Sequence, residues 1–201
     1  MLFRSDGVDA YAILERKAAE LPPGAHGVFG LFGNLMQASR WVHGSPGFLG
    51  FDVANPERSG RAACFRAIEE SAAFVSLGHL RFIEEVAAVQ VGEAVLTGGA
   101  AKGTLWPQIV ADTIGVPVRI PVVKESTALG AAIYAGVGAG LYDSAPDVAR
   151  GIVRFERTAE PDPAAHAAYL DLYERWLELY GRALALSEAG LVRPLWRAAG
   201  T

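Results

Sequence analysis

Cysteine is almost absent from this chain. Cys64 is the single thiol among 201 residues, so no internal disulfide can form, and a reducing, cytoplasmic setting is expected. Cys64 stands beside Phe65 in a helical pattern and reads as a small core residue. Histidine is also scarce, and no two of the four have metal-ligand spacing, so no zinc site is expected. Basic residues do not outnumber acidic ones: 18 against 22 leave a net charge of −4. That excludes the basic surface a nucleic-acid partner requires. Long apolar runs are lacking too. The uncharged run Ser126–Tyr142 has 17 residues, short of the roughly 20 a membrane span needs. Its alanines and glycines suit a helix packed tightly on a sheet. No secretory signal pattern, internal repeat or low-complexity tract is found. What remains is 51% hydrophobic and 20% charged, enough for one sizeable core and about one domain.

The stretch 93–140 organises the rest. Ala94-Val95-Leu96-Thr97 is a short apolar run stopped by Gly98-Gly99, which reads as a buried strand ending in a turn. Without Cβ atoms, the two glycines permit unusual φ and let a ligand lie against bare backbone. Thr104 is placed to cap a helix that keeps Pro107 in its first turn and stops at Gly115. Val116–Ile120 reads as a second strand, and Ser126 or Thr127 opens a helix ending near Gly138 or Gly140. Strand, glycine turn, helix, strand, helix is an α/β unit, and ligands sit at the carboxyl ends of such strands.

Around this unit the periodicity predicts an amphipathic helix over Val8–Glu20, stopped by Pro22-Pro23. Gly27–Gly33, Ser39–His43 and Phe48–Val53 read as three successive strands, hence an antiparallel portion of the sheet. Arg61–Val89 is the longest helix. Phe65, Ile68, Ala72, Val75, His79, Phe82 and Val86 form its expected core stripe, with Arg66, Glu69, Glu70, Arg81, Glu84 and Glu85 on the other faces. His79 reads as a half-buried histidine rather than a ligand. Tyr142–Val148 reads as a loop and Gly151–Arg157 as a short strand or arm. Asp162 and Pro163 open a last helix to about Ser187, with Ala167, Leu170, Tyr173, Leu177, Tyr180 and Leu184 on one stripe. Leu191–Thr201 reads as a tail.

The ordered string Gly-Gly-Ala from Gly98, Trp106, Gln108, Ala111-Asp112, Gly115, Pro117-Val118, then Glu125 and Ala128-Leu129-Gly130-Ala131-Ala132, resembles the adenosine-binding segment of the FGGY carbohydrate kinases. The resemblance runs from about Val8 to the end. It implies an α/β fold: a partial actin-like ATPase (ribonuclease-H-like) domain with a C-terminal helix. Residues 8–158 would be the C-terminal nucleotide-binding domain, 159–201 its terminal helix and tail, and 1–7 a non-native or linker start. Phe65–Ala73, Pro121–Gly130, Arg154–Thr158 and Leu195–Ala198 resemble the branch of the family that phosphorylates the 5-hydroxyl of the quorum-sensing signal 4,5-dihydroxypentane-2,3-dione. Xylulose, glycerol or another sugar or polyol is the alternative substrate. A catalytically silent actin-like module that binds nucleotide or a partner is the alternative function.

The resemblance implies ATP as cofactor, with Mg²⁺ carried on its phosphates and no metal ligand from the protein. Gly98, Gly99 and Ala100 match the adenosine turn. Gln108 and Asp112 match the helix after it, where a structural role is expected. Glu125 and Ala128 match the segment closing over adenine or ribose. Gly103 stands where glycerol kinases carry an adenine-contacting Asn, so backbone would serve there. Lys102 is either a nucleotide neighbour or a solvated lysine. No residue matches the family's phosphate loop or catalytic aspartate region, so no catalytic residue is assigned. The chain is then expected to be the later part of the domain, with the first strands absent and a sheet edge unpaired. Expected partners are ATP, a small sugar-like substrate and the N-terminal kinase domain. A phosphocarrier protein of the sugar phosphotransferase system and a second copy of the chain are further candidates.

Overall fold

A computed structural model describes residues 9–35 and 42–198. The elements, in order, are α1 (Ala10–Ala19), β1 (Phe29–Leu31), β2 (Val42–His43), β3 (Gly47–Leu49), α2 (Arg61–Ala87), β4 (Ala94–Val95), α3 (Leu105–Ile114), β5 (Val118–Pro121), α4 (Ser126–Gly138), α5 (Ala145–Ile152), β6 (Phe155–Ala159), α6 (Pro163–Glu188) and β7 (Trp196–Arg197). β4 and β5 are parallel, as a strand–helix–strand crossover requires. β6 adds antiparallel to β5 with an irregularity at Ile120/Pro121, and β4 forms the other edge of this three-stranded sheet.

The local chemistry explains several boundaries. Asp162 accepts hydrogen bonds from Ala164 N and Ala165 N, both at 2.8 Å, and Pro163 begins α6, as the sequence predicts. Gly115 ends α3 with φ of 73°. Met1–Val8 and the first part of the predicted strand 39–43 lie outside the described residues. β1 and β3 pair antiparallel as expected, but β2 pairs instead with β7. The predicted tail is therefore partly a strand, with the His43 and Trp196 rings 5.1 Å apart. Residues 142–148, read as a loop, contain the start of α5. Ser144 caps it by accepting from Asp147 N at 3.4 Å, and Pro146 sits in its first turn.

The core lies between α2, α3, α6 and one face of the sheet. Phe74, Tyr169, Tyr173 and Trp176 meet there with ring centroids 5.7 to 6.3 Å apart. Trp176 donates its Nε1–H to the Gly30 carbonyl at 2.9 Å. At Gly30 a Cβ would lie 2.5 Å from the Ala67 carbonyl oxygen, so glycine lets β1 rest on α2.

The buried face of α2 is not the predicted one. Ile68, Phe82 and Val86 of the expected stripe are exposed. The buried residues include Ala63, Ala67, Ala73, Phe74 and Leu77, and with them Arg66, Glu69 and Glu70. Arg66 donates to Glu70 Oε1 at 2.8 Å, to Tyr169 Oη at 2.7 Å and to the Ala18 carbonyl at 3.0 Å. Glu70 Oε1 also accepts from Tyr169 Oη at 3.1 Å and Gly24 N at 3.0 Å. Among the described residues no helix is long and apolar enough to cross a membrane.

Removing one member of a buried ion pair strands the other, at about 3–5 kcal/mol. Arg66→Met is expected to cost about that much in urea unfolding. The double variant Arg66→Met/Glu70→Leu should recover part of the loss, and strictly additive losses would contradict the pairing.

Glu69 gives a pH signature. It is buried, and Oε2 has no hydrogen-bond partner. Burial first, then the Glu15 carboxylate, push it up to about 8. The folded chain therefore holds a proton that the unfolded chain releases near the ordinary glutamate value. That contribution is full below about pH 4.5 and is lost as pH rises towards 8. Glu69→Gln should flatten the fall of stability over this window. Parallel unfolding free energies for the two proteins from pH 5 to 8.5 would refute the assignment.

Candidate functional site

The carboxyl ends of β4 and β5 bring two turns together. Pairing continues past the strands: Leu96 N donates to Arg119 O at 3.1 Å, and Gly98 N to Lys124 O at 2.8 Å. The Thr97 and Ser126 hydroxyls lie 3.0 Å apart, tying the first turn to the start of α4. Gly98 has φ 75° and ψ −155°, a region populated essentially by glycine alone. A single 3₁₀ turn, Gly99–Ala101, follows. Among the described residues, no atom other than those of the adjoining residues lies within 4 Å of a Cβ built at Gly98 or at Gly99. Bare backbone thus faces open space.

Gly98, Gly99 and Ala100 form one rim of this bay, and Glu125 and Ala128, both exposed, stand at the start of α4. Lys102 Nζ reaches 3.8 Å from Glu125 Oε1, both side chains being exposed. Beside Thr97 and Ser126 opens an apolar recess of about 310 Å³, lined also by Val95, Pro121, Val123 and Leu129. None of these four stands out in the sequence as a site residue. Val95, on a strand read as buried, is exposed.

Two predicted residues do not join the bay. Gly103 is turned to α1, where a Cβ would fall 2.2 Å from Glu15 Oε1. Gln108 donates at 2.8 Å both to Asp112 Oδ1 and to the Glu160 carbonyl. Asp112 Oδ1 accepts from Asp162 N at 2.8 Å, and its carbonyl lies 2.8 Å from His166 Nδ1. Gln108 and Asp112 therefore fasten α3 to the start of α6.

The start of α3 is also taken. The Thr104 side chain makes no cap bond. Instead Glu15 Oε1 accepts from Thr104 N at 2.5 Å and Leu105 N at 2.7 Å. Those amides are unavailable to a ligand anion. Among the described residues no three acidic, His or Cys side chains are grouped to hold a metal ion. What the bay offers is open glycine backbone, two hydroxyls, an apolar recess that Arg154 also lines, and one lysine at its edge.

Comparison with known proteins adds the following. The family model described as FGGY family of carbohydrate kinases, C-terminal domain, matches residues 8–139. Autoinducer-2 kinases from Salmonella paratyphi A and Escherichia coli K12 are 44% and 43% identical over 194 residues, covering 96% of this chain and 36% of each relative. The chain thus spans about a third of the length of these relatives. A xylulose kinase structure from Rhodospirillum rubrum superposes with a TM-score of 0.67 at 29% identity, over 86% of this chain and 34% of that one. Plasmodium falciparum glycerol kinase with ADP superposes at 0.65 and 19% identity, over 86% and 34%, a likeness of fold alone.

The two glycines should respond differently to a methyl group. Gly98→Ala forces a side chain into a glycine-only conformation and is expected to cost about 1–3 kcal/mol. Gly99→Ala enters open space and should stay within about 0.5 kcal/mol of the parent. Urea unfolding of both checks the difference, and equal losses would contradict it.

Proposed function

The chain belongs to the FGGY family of carbohydrate kinases, and from that premise we propose that it is the nucleotide-binding part of an ATP-dependent kinase acting on 4,5-dihydroxypentane-2,3-dione. The observation that carries the nucleotide reading is the glycine turn. Gly98 and Gly99 present backbone to open space at the carboxyl ends of two parallel strands, where α/β folds place ligands. The apolar recess between Thr97 and Leu129 suits the flat face of a purine. Ala100, Glu125 and Ala128 border the ribose side, and Lys102 reaches the phosphates. Gly103, Gln108 and Asp112 support the turn without touching the nucleotide.

Residues 8–158 are the kinase's C-terminal domain in this reading, 159–201 its helix and tail, and 1–7 a linker or non-native start. Transfer requires the substrate hydroxyl oxygen to bond the γ-phosphorus while the bond to the ADP oxygen breaks and the hydroxyl proton passes to a base. This chain's residues hold and orient the nucleotide. The sugar-like substrate, the base and most phosphate contacts belong to the N-terminal kinase domain. Mg²⁺ comes with the phosphates and offsets their charge. The setting is cytoplasmic. The substrate rests on the 43–44% identity to autoinducer-2 kinases. The 29% identity to a xylulose kinase makes a pentulose the second reading.

ADP titrated calorimetrically into the chain is expected to bind. Gly99→Val, which places a branched side chain in the open space, should raise Kd at least about tenfold, or roughly 1.4 kcal/mol. The chain alone should turn over neither dihydroxypentanedione nor xylulose with ATP. Absence of ADP binding, or an unchanged Kd in Gly99→Val, removes the site. Turnover that scales with chain concentration would place a catalytic base within these residues.

A further inference from the structure

The turn that follows β4 is held by charged side chains from two other elements and by one backbone carbonyl. α1 supplies Glu15, whose Oε1 takes the amide protons of Thr104 and Leu105 at 2.5 and 2.7 Å. The carboxylate can come that close because Gly103 has no Cβ to meet it. β6 supplies Arg157, whose guanidinium donates to the Ala101 carbonyl at 3.1 Å and also to the Gly103 carbonyl. One end of the turn thus has its donors met by an anion and its acceptors by a cation.

The other end is fixed through Lys124. Its carbonyl accepts from Gly98 N at 2.8 Å, and its Nζ lies 2.8 Å from Glu156 Oε2. Glu156 also pairs with Arg157, at 3.6 Å. Arg157, Glu156 and Lys124 form a charged row across the β5–β6 side of the turn. Glu15 closes the opposite side.

We propose that Glu15 and Arg157 are positioning residues for the nucleotide: together they hold the 98–105 turn in its open, binding-ready shape before any ligand arrives. The proposal rests on the nucleotide reading above. Neither residue borders the bay. Their effect on binding comes from order already present in the empty protein, because a pre-ordered turn spares the ligand the entropy of fixing it. Glu15 acts with α1 as its platform, so the packing of α1 on α2 sets the position of the bay.

The test compares Glu15→Ala, Glu15→Gln, Arg157→Ala and Arg157→Lys with the parent chain. Two readouts are taken on each: amide hydrogen exchange at residues 99–105 and ADP Kd by calorimetry. In Glu15→Ala and Arg157→Ala, exchange across 99–105 should speed at least about tenfold while α6 amides keep their parent rates. Kd for ADP should rise about tenfold. Glu15→Gln keeps an acceptor oxygen and Arg157→Lys keeps a cation, so each should shift exchange and Kd by only about threefold. A merely structural role would lower the melting temperature but leave Kd and local exchange of the folded protein unchanged, and that result overturns the proposal. If the parent chain binds no ADP, the nucleotide reading falls, and the exchange data alone decide whether the two residues hold the turn. Should an alanine variant fail to fold, Glu15→Gln and Arg157→Lys against the parent carry the same comparison, with a smaller shift of about threefold supporting the clamp and none overturning it.

Discussion

The buried Arg66–Glu70–Tyr169 network is the constraint on which the rest depends. Each group alone is costly to desolvate, since an isolated buried charge is unfavourable by several kcal/mol. The network becomes tolerable only when all its partners are in place at once. Those partners lie on α2, α6, the end of α1 through the Ala18 carbonyl, and the turn at Gly24. An apolar core would accept small shifts among these elements, whereas hydrogen bonds near 3 Å do not. The network therefore fixes where α1 lies on α2. Glu15 is three residues from Ala18 on α1, so the same register delivers its carboxylate to the start of α3.

This network also explains what the sequence concealed. Arg66, Glu69 and Glu70 look like a solvated face, because charged residues are rarely buried unless paired. Arg66 and Glu70 pair with each other four residues apart, as exposed helix pairs also do, but the Tyr169 hydroxyl that lets the pair be buried lies about a hundred residues away, and no local periodicity reveals it. The error propagates: with the polar face taken as outward, Ile68, Phe82 and Val86 are misplaced in the core. Where the deciding physics is local, the sequence is readable. Asp162-Pro163 and Gly115 mark helix ends through their own backbone preferences, and the strand–glycine–helix order of 94–115 needs no distant partner. Ser144 with Pro146 and Asp147 was equally local, but the Asp, Ser and Pro content reads as a loop unless the serine is weighed as a cap. β7 depends on a strand more than a hundred residues earlier, Val42 pairing with Arg197 and His43 with Trp196, and is not legible in the tail alone.

The candidate site divides in the same way. Gly98, Gly99, Ala100, Glu125 and Ala128 are consecutive with strand ends, and the strand ends meet because β4 and β5 are neighbours. Sequence order and spatial order coincide there. Val95, Pro121, Val123 and Leu129 line the recess from β4, β5, the loop after β5 and α4, a convergence that no local pattern shows. Glu15 and Arg157 come from elements far from the turn in sequence. Glu15 carries no motif, the Arg154–Thr158 string does not point Arg157 at the turn, and only the position of α1 and the β5–β6 pairing reveals the two roles.

Three glycines within six residues serve different ends, and the difference bears on the proposed contact. Gly103 is small for a reason inside the protein: Glu15 occupies the space a Cβ would take. Gly98 is glycine for a backbone reason, its φ of 75° and ψ of −155°. Gly99 has neither reason. Its φ is not positive and nothing of the chain approaches its missing side chain. Glycine at such a position is a net loss to the protein alone, since it adds disorder to the unfolded state without relieving strain in the folded one. In the proposed reading the compensating gain comes from the nucleotide that lies against that backbone. A ligand that needs the space supplies it, and this is the physical argument that favours a bound nucleotide over a plain tight turn.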